Sequence, residues 1–276
     1  MDMHALRVAH LFRPLEMKLQ ELLLSLQPKE WEAQTIASQW KVKDVAAHLL
    51  DGNIRVLSIQ RDRYFGNTPP QFNSYEELVQ WLNDLNREWV IASKRISPSV
   101  MILLHQATGS LVCDYYNALN PSDKAIFPVA WAGEEESLNW MHLAREYTEK
   151  WLHQQQIRDA VNKPGIMTPE FFQPFIRTFA FALPHTYRNT TAQDGTRVRL
   201  SVLTDPAGSF DIIRKSGKWQ MAEVEGMAQA ELEIDPQIAW KLFSKSQKPQ
   251  ETAHLVTFKG NSELAAVALQ MVSVMA

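Results

Sequence analysis

The sequence has 276 residues, 45% hydrophobic and 21% charged, with a formal net charge of −3. That length supports one large domain or two ordinary ones with buried cores, and the slightly acidic balance leaves no basic footprint for nucleic acid. A single cysteine, Cys113, excludes an internal disulfide and a multi-cysteine metal cluster and suits a reducing compartment.

The N-terminal stretch MDMHALRVAHLFRPLEMKLQ interrupts its apolar residues with charges and lacks a signal-peptide core. No apolar run approaches the roughly 18 residues of a membrane span, so a cytoplasmic protein without membrane partners is expected. Apolar residues then recur at helical spacing in LEMKLQELLLSL, VKDVAAHLLDGNIRVLSIQ, YEELVQWLNDLNREWVIA and SVMILLHQATGSLVCDYY. Breaks fall at Pro28, GNTPPQFN, Ser97-Pro98 and Pro121 to Gly133. The segments between them predict an antiparallel bundle of amphipathic helices. Cys113, within GSLVCDYYNAL, reads as a small buried hydrophobe.

The next helix, REYTEKWLHQQQIRDAV, sets Glu149 and His153 four residues apart, and side chains at that spacing share one face. Chance alone gives about one acid-to-histidine pair at this spacing in a chain with 31 acidic residues and 8 histidines; two occur, the other being Asp44 with His48. The spacing by itself therefore says little, and a solvated face would look the same. The surroundings say more. At about 100° per residue, His142, Glu146, Glu149 and His153 fall within a stripe about 60° wide, opposite Trp140, Leu143, Tyr147 and Trp151. The expectation is that the polar stripe lines a cleft partly covered by the C-terminal region, while the aromatic side packs into the bundle. His48 sits on a helix with Asp44 and Asp51 on adjacent turns of one face. Zinc needs three convergent protein ligands and an open position in a catalytic site, and two histidines with a glutamate form such a set. His48, Glu149 and His153 would supply it if their helices are neighbours.

After NKPGIMTPE the pattern changes. A helix EFFQPFIRTFAFAL leads into the strand-like TRVRLSVLTD, GSFDIIRKSGKWQMAEVEG and AQAELEID. PQIAWKLFSKS and NSELAAVALQMVSVM read as helices around a last strand, HLVTFKG. The predicted organisation is an all-helical domain over residues 1–165 and a smaller α/β domain over 166–276.

The segment from Trp40 through Val42, Asp44, His48, Leu49 and Asp51 to Arg61-Asp62, with Arg145-Glu146 and WLHQQQIRDA, resembles the mycothiol-dependent maleylpyruvate isomerase family. The resemblance covers essentially the whole chain; it is sharp at these two helices and looser in the C-terminal part. It implies a DinB-like up-and-down helical bundle followed by a sterol-carrier-like α/β domain. It also implies a divalent metal, usually zinc, held by His48, Glu149 and His153. The chemistry implied is that of an isomerase, or a thiol transferase, using mycothiol or another low-molecular-weight thiol and a small electrophilic substrate. Candidate acid–base residues by position are Asp44, Glu146 and His142; Arg197 or Arg199 in TRVRL would suit a substrate carboxylate. Two other readings stand beside this one: a metal-dependent hydrolase, and a non-catalytic protein holding an apolar ligand against EFFQPFIRTFAFAL and AWKLF. The oligomeric state is left open by the sequence.

Overall fold

The computed structural model describes residues 6–66, 69–127, 136–203, 208–223 and 226–271. Its contacts divide the chain into two compact units. One comprises Arg7–Ile126 and His153–Ile166; the other includes Phe127–Leu152 and Met167–Ala276.

The first unit is built on helices α1 (Phe12–Ser25), α2 (Val42–Arg55), α3 (Tyr75–Ser93), α4 (Pro98–Ala118) and the later turns of α5 (Asn139–Val161). Their starts are written in the sequence. Ser74 accepts from the Glu77 N–H at 3.2 Å, and Ser97, followed by Pro98 in the first helical turn, accepts from Val100 N–H at 3.3 Å. Phe12, Leu15, Leu19, Leu22 and Leu23 give α1 a buried face at helical spacing. Leu19, Leu22 and Leu23 of this face form one apolar core with Val42, Val45, Leu49 and Leu50 of α2, Met101 of α4 and Ile157 of α5. Polar groups tie the helices at defined heights: Trp89 donates to the Ala47 carbonyl at 2.7 Å, the His105 ring meets the Ala46 carbonyl at 3.0 Å, and Arg158 donates to the Lys18 carbonyl at 2.8 Å. After Arg55 the helical hydrogen bonding widens into a π-helical turn, Val56–Arg61.

The second unit contains the earlier turns of α5, helix α6 (Pro169–Ala180), the short α7 (Leu183–Thr186), strands β1 (Arg197–Val202), β2 (Gly208–Lys215), β3 (Lys218–Ala222) and β4 (Ala230–Ile234), helices α8 (Pro236–Phe243) and α9 (Pro249–Thr252), strand β5 (Thr257–Gly260) and α10 (Ser262–Ala266). The sheet order is β3-β2-β1-β4-β5; β1 and β4 are parallel and the other pairs antiparallel. Register aligns Val198, Leu200 and Val202 with Ala230, Leu232 and Ile234, and all six are buried. Alternation sends Arg199, Ser201, Glu231 and Glu233 to the opposite face, as a period of two requires. The predicted order of bundle then mixed sheet is the order observed. Parts of the predicted segments at 128–133, 204–205, 224–225 and 272–275 lie outside the described residues. Among the described residues no helix is long and apolar enough to cross a membrane.

The aromatic face of α5 departs from expectation. Instead of packing into the bundle, Trp151 stacks on Phe175 at 4.0 Å between ring centroids and meets Phe172 and Trp240 at 5.6 and 6.5 Å. Trp140 lies 5.8 Å from Phe181, and the Tyr147 hydroxyl donates to the Phe171 carbonyl at 2.9 Å. The reason is α6, whose Phe171, Phe172, Phe175, Ile176 and Phe179 are all buried and offer a broad aromatic surface. Those rings, with Trp240 and Phe243, are core.

Candidate metal centre

The local sequence around His48 sets its helix rigidly. The Asp44 carboxylate accepts from the Lys41 N–H at 3.0 Å, satisfying one of the donors a helix N-terminus leaves open. Val45, Ala46, Leu49 and Leu50 bury the core side of α2, so His48 is left on the partly exposed side. His153 faces it from α5. Their rings lie 4.6 Å apart, nearly edge-on at 73°, and the Trp40 ring packs at 4.9 Å from His48 and 6.0 Å from His153. Glu149 stands one turn earlier on the same uninterrupted helix.

One donor atom from each of His48, Glu149 and His153 can be chosen so that all lie within 4.8 Å of one another. A tetrahedral zinc with bonds near 2.0–2.1 Å holds its donors roughly 3.4 Å apart, inside that 4.8 Å limit. Two imidazoles and a carboxylate are also the right chemistry for that ion. The residues therefore fit a metal.

A further contact supports that fit. The Nδ1 of His153 lies 2.9 Å from Gln156 Oε1. With Oε1 as the acceptor, Nδ1 would carry the proton and Nε2 would be the nitrogen to bind a metal. Gln156, 5% exposed, was not singled out in the sequence, although its place three residues after a candidate ligand histidine is the signal that finds it.

The remaining candidates are placed elsewhere. Asp44 serves the α2 cap. His142 is 3% exposed and its Nδ1 lies 3.9 Å from Glu146 Oε1; burial, opposed by Glu146, pulls its pKa below the ordinary histidine value. Arg197 and Arg199 project from one face of β1 and both meet Asp211 of β2, Arg199 through Nε and Nη2 at 3.0 Å each and Arg197 at 3.5 Å. That hydrogen-bonded carboxylate raises the pKa of Arg199 further. Cys113 is buried at 1% exposure, in keeping with an inert thiol.

His48, Glu149 and His153 form a cluster of the kind that could hold a metal ion, in a chain whose helices are followed by a small mixed sheet. The family model described as "Mycothiol maleylpyruvate isomerase N-terminal domain" matches residues 12–158, and the chain belongs to that family. Among solved structures it is similar to the mycothiol-dependent maleylpyruvate isomerase at 15% identity and a TM-score of 0.54. A histidine-to-alanine mutant of that enzyme gives 14% and 0.53; both matches cover 93% of this chain and 94% of the other. No curated protein sequence matches.

Proposed function

We propose that the chain is a metal- and thiol-dependent enzyme of the maleylpyruvate isomerase kind, an isomerase or thiol transferase acting on a small electrophilic substrate. Residues 1–165 are its proposed metal-binding domain and 166–276 its second domain. His48, Glu149 and His153 are the proposed ligands of one divalent metal, zinc by the preference of the donor set. The observation that carries this reading is the convergence of their donor atoms within 4.8 Å in a member of this family.

Bound there, the metal would supply a Lewis acid beside which a thiol, mycothiol or another, is a thiolate at neutral pH. The protein's own part is to hold the donors in place. Gln156, in contact with His153 Nδ1, would hold that ring's orientation, and Glu149 would contribute the one negative charge of the set. Trp40 packs against both imidazoles, shielding them from water on that side. Such an apparatus suits addition of a thiolate to an activated double bond, rotation about the resulting single bond, and elimination.

Elemental analysis of the purified protein tests the assignment. The wild type should carry about one equivalent of metal, and His153→Ala should lose it. Glu149→Gln, which preserves size and helix propensity, should keep its circular dichroism while losing metal affinity and thiol-dependent turnover of maleylpyruvate. Unchanged metal content in His153→Ala overturns the ligand set, and full activity of Glu149→Gln overturns the mechanism.

A further inference from the structure

Helix α2 carries a polar stripe that continues beyond His48. Asp44, His48, Asp51 and Arg55 follow one another at spacings of four, three and four residues, which puts them on successive turns of one face. Asp44 is spent on the helix cap. Arg55 leans back towards the N-terminus, as helical side chains do, and its Nη1 comes to 3.7 Å from Asp51 Oδ2. That is too long for a hydrogen bond. A guanidinium has five N–H donors, and this contact leaves donors for a second carboxylate.

Beyond Arg55 the helix changes form. The π-helical turn Val56–Arg61 follows at once, and single π turns gather at functional sites because they re-aim side chains. Arg63 takes a left-handed conformation, with φ of 58°, and turns the chain back so that the Tyr64 N–H donates to the Ser58 carbonyl at 2.8 Å. Gly66 lies so close to the Tyr64 ring that a Cβ there would overlap it. The result is an open pocket of about 280 Å³ lined by Ile54, Arg55, Ser58, Ile59, Tyr64 and Gly66. Among the described residues its lining includes one cation and no acid. Of the acids nearby, Asp62 is engaged by Arg61 at 2.7 and 3.1 Å. Asp51 is pushed by burial towards its neutral form, against the pull of Arg55.

We infer that Arg55 is a specificity-determining residue that grips a carboxylate of a small anionic substrate in this pocket, holding the rest of the molecule along the stripe towards His48. The inference rests on the proposed function for what happens at His48, whereas the binding itself needs no metal. The guanidinium lies at the level of Asp51, about 5 Å along the helix axis from His48 at 1.5 Å per residue. A short-chain dicarboxylic or keto acid spans that distance. Arginine's planar fork matches a carboxylate in a way a lysine ammonium does not.

The test is calorimetric titration of maleate, as a small dicarboxylate probe, into the metal-depleted full-length protein. The wild type should bind it; Arg55→Ala should weaken binding about tenfold or more, with Arg55→Lys between the two. Ile59→Trp, which fills the pocket without altering charge, should give a similar loss, so the outcome does not depend on one variant folding. With metal and thiol restored, Arg55→Ala should raise KM for maleylpyruvate while kcat stays within a few-fold. Equal maleate affinity in wild type and Arg55→Ala, or no binding to the wild type, overturns the inference. Metal content measured on the protein as purified, before depletion, keeps the two ideas separate: a wild type that carries no metal when purified, yet binds maleate through Arg55, sinks the metalloenzyme and leaves the anion site standing.

Discussion

Gln156 and His142 show how much a single side chain's neighbours decide. Gln156 touches His153, a proposed ligand, so its removal should act through that imidazole. Gln156→Leu is expected to weaken metal affinity about 10- to 100-fold with little change in the far-ultraviolet circular dichroism, and competition with a chromogenic chelator reads this directly. His142 lies on the same polar stripe of α5 as the proposed ligands but is buried, and desolvation depresses its folded-state pKa below 6.5. The unfolded chain therefore takes up a proton at His142 before the native protein does. Stability tied to this residue is complete above pH 6.5 and is lost as the pH falls from there towards the folded value, at no more than about 1.4 kcal/mol per pH unit. Denaturant titrations of wild type and His142→Gln between neutral and mildly acidic pH should diverge in that sense, with the variant showing the flatter profile.

At the scale of elements, the helices were legible because each buries a face at a period of 3.6; the spacing of Glu149 and His153 puts them on one face, but it said little until the family resemblance joined His48 to the pair. The π turn was not. VKDVAAHLLDGNIRVLSIQ reads as one continuous helix, since a single residue's slip after Arg55 leaves the apolar spacing nearly unchanged. Nor was the target of the aromatic face of α5 legible: periodicity says which residues travel together, and only the folded chain says what covers them. Asp44 was misleading for a related reason, because an acid at the third position of a helix serves capping as readily as catalysis. Trp151 gives this element its clearest test. With Phe172, Phe175 and Trp240 around it, Trp151→Ala should cost about 3–5 kcal/mol, measured by urea denaturation with the metal chelated so that packing alone is read.

For the whole molecule, the proposed metal ties α2 to α5, which are distant in sequence. An ion bound only by the native state stabilises it by about 2.7 kcal/mol when free metal is 100 times Kd, which for a chain of this size amounts to several degrees in melting temperature. Chelation should therefore lower the melting temperature of the wild type and leave that of His153→Ala unmoved. An equal shift in both proteins would place the stabilising metal elsewhere.

Helix α5 belongs to both compact units, its earlier turns to one and its later turns to the other. A gene fragment stopped at residue 158 or 165 would encode every proposed metal ligand, yet it would deliver Trp140, Tyr147 and Trp151 to water without Phe171, Phe175, Phe181 and Trp240. The two coding regions are thus bound to be inherited together. A recombination event separating them would leave a sticky half-protein for the cell's proteases, unless the new partner brought its own aromatic cover for the same three rings.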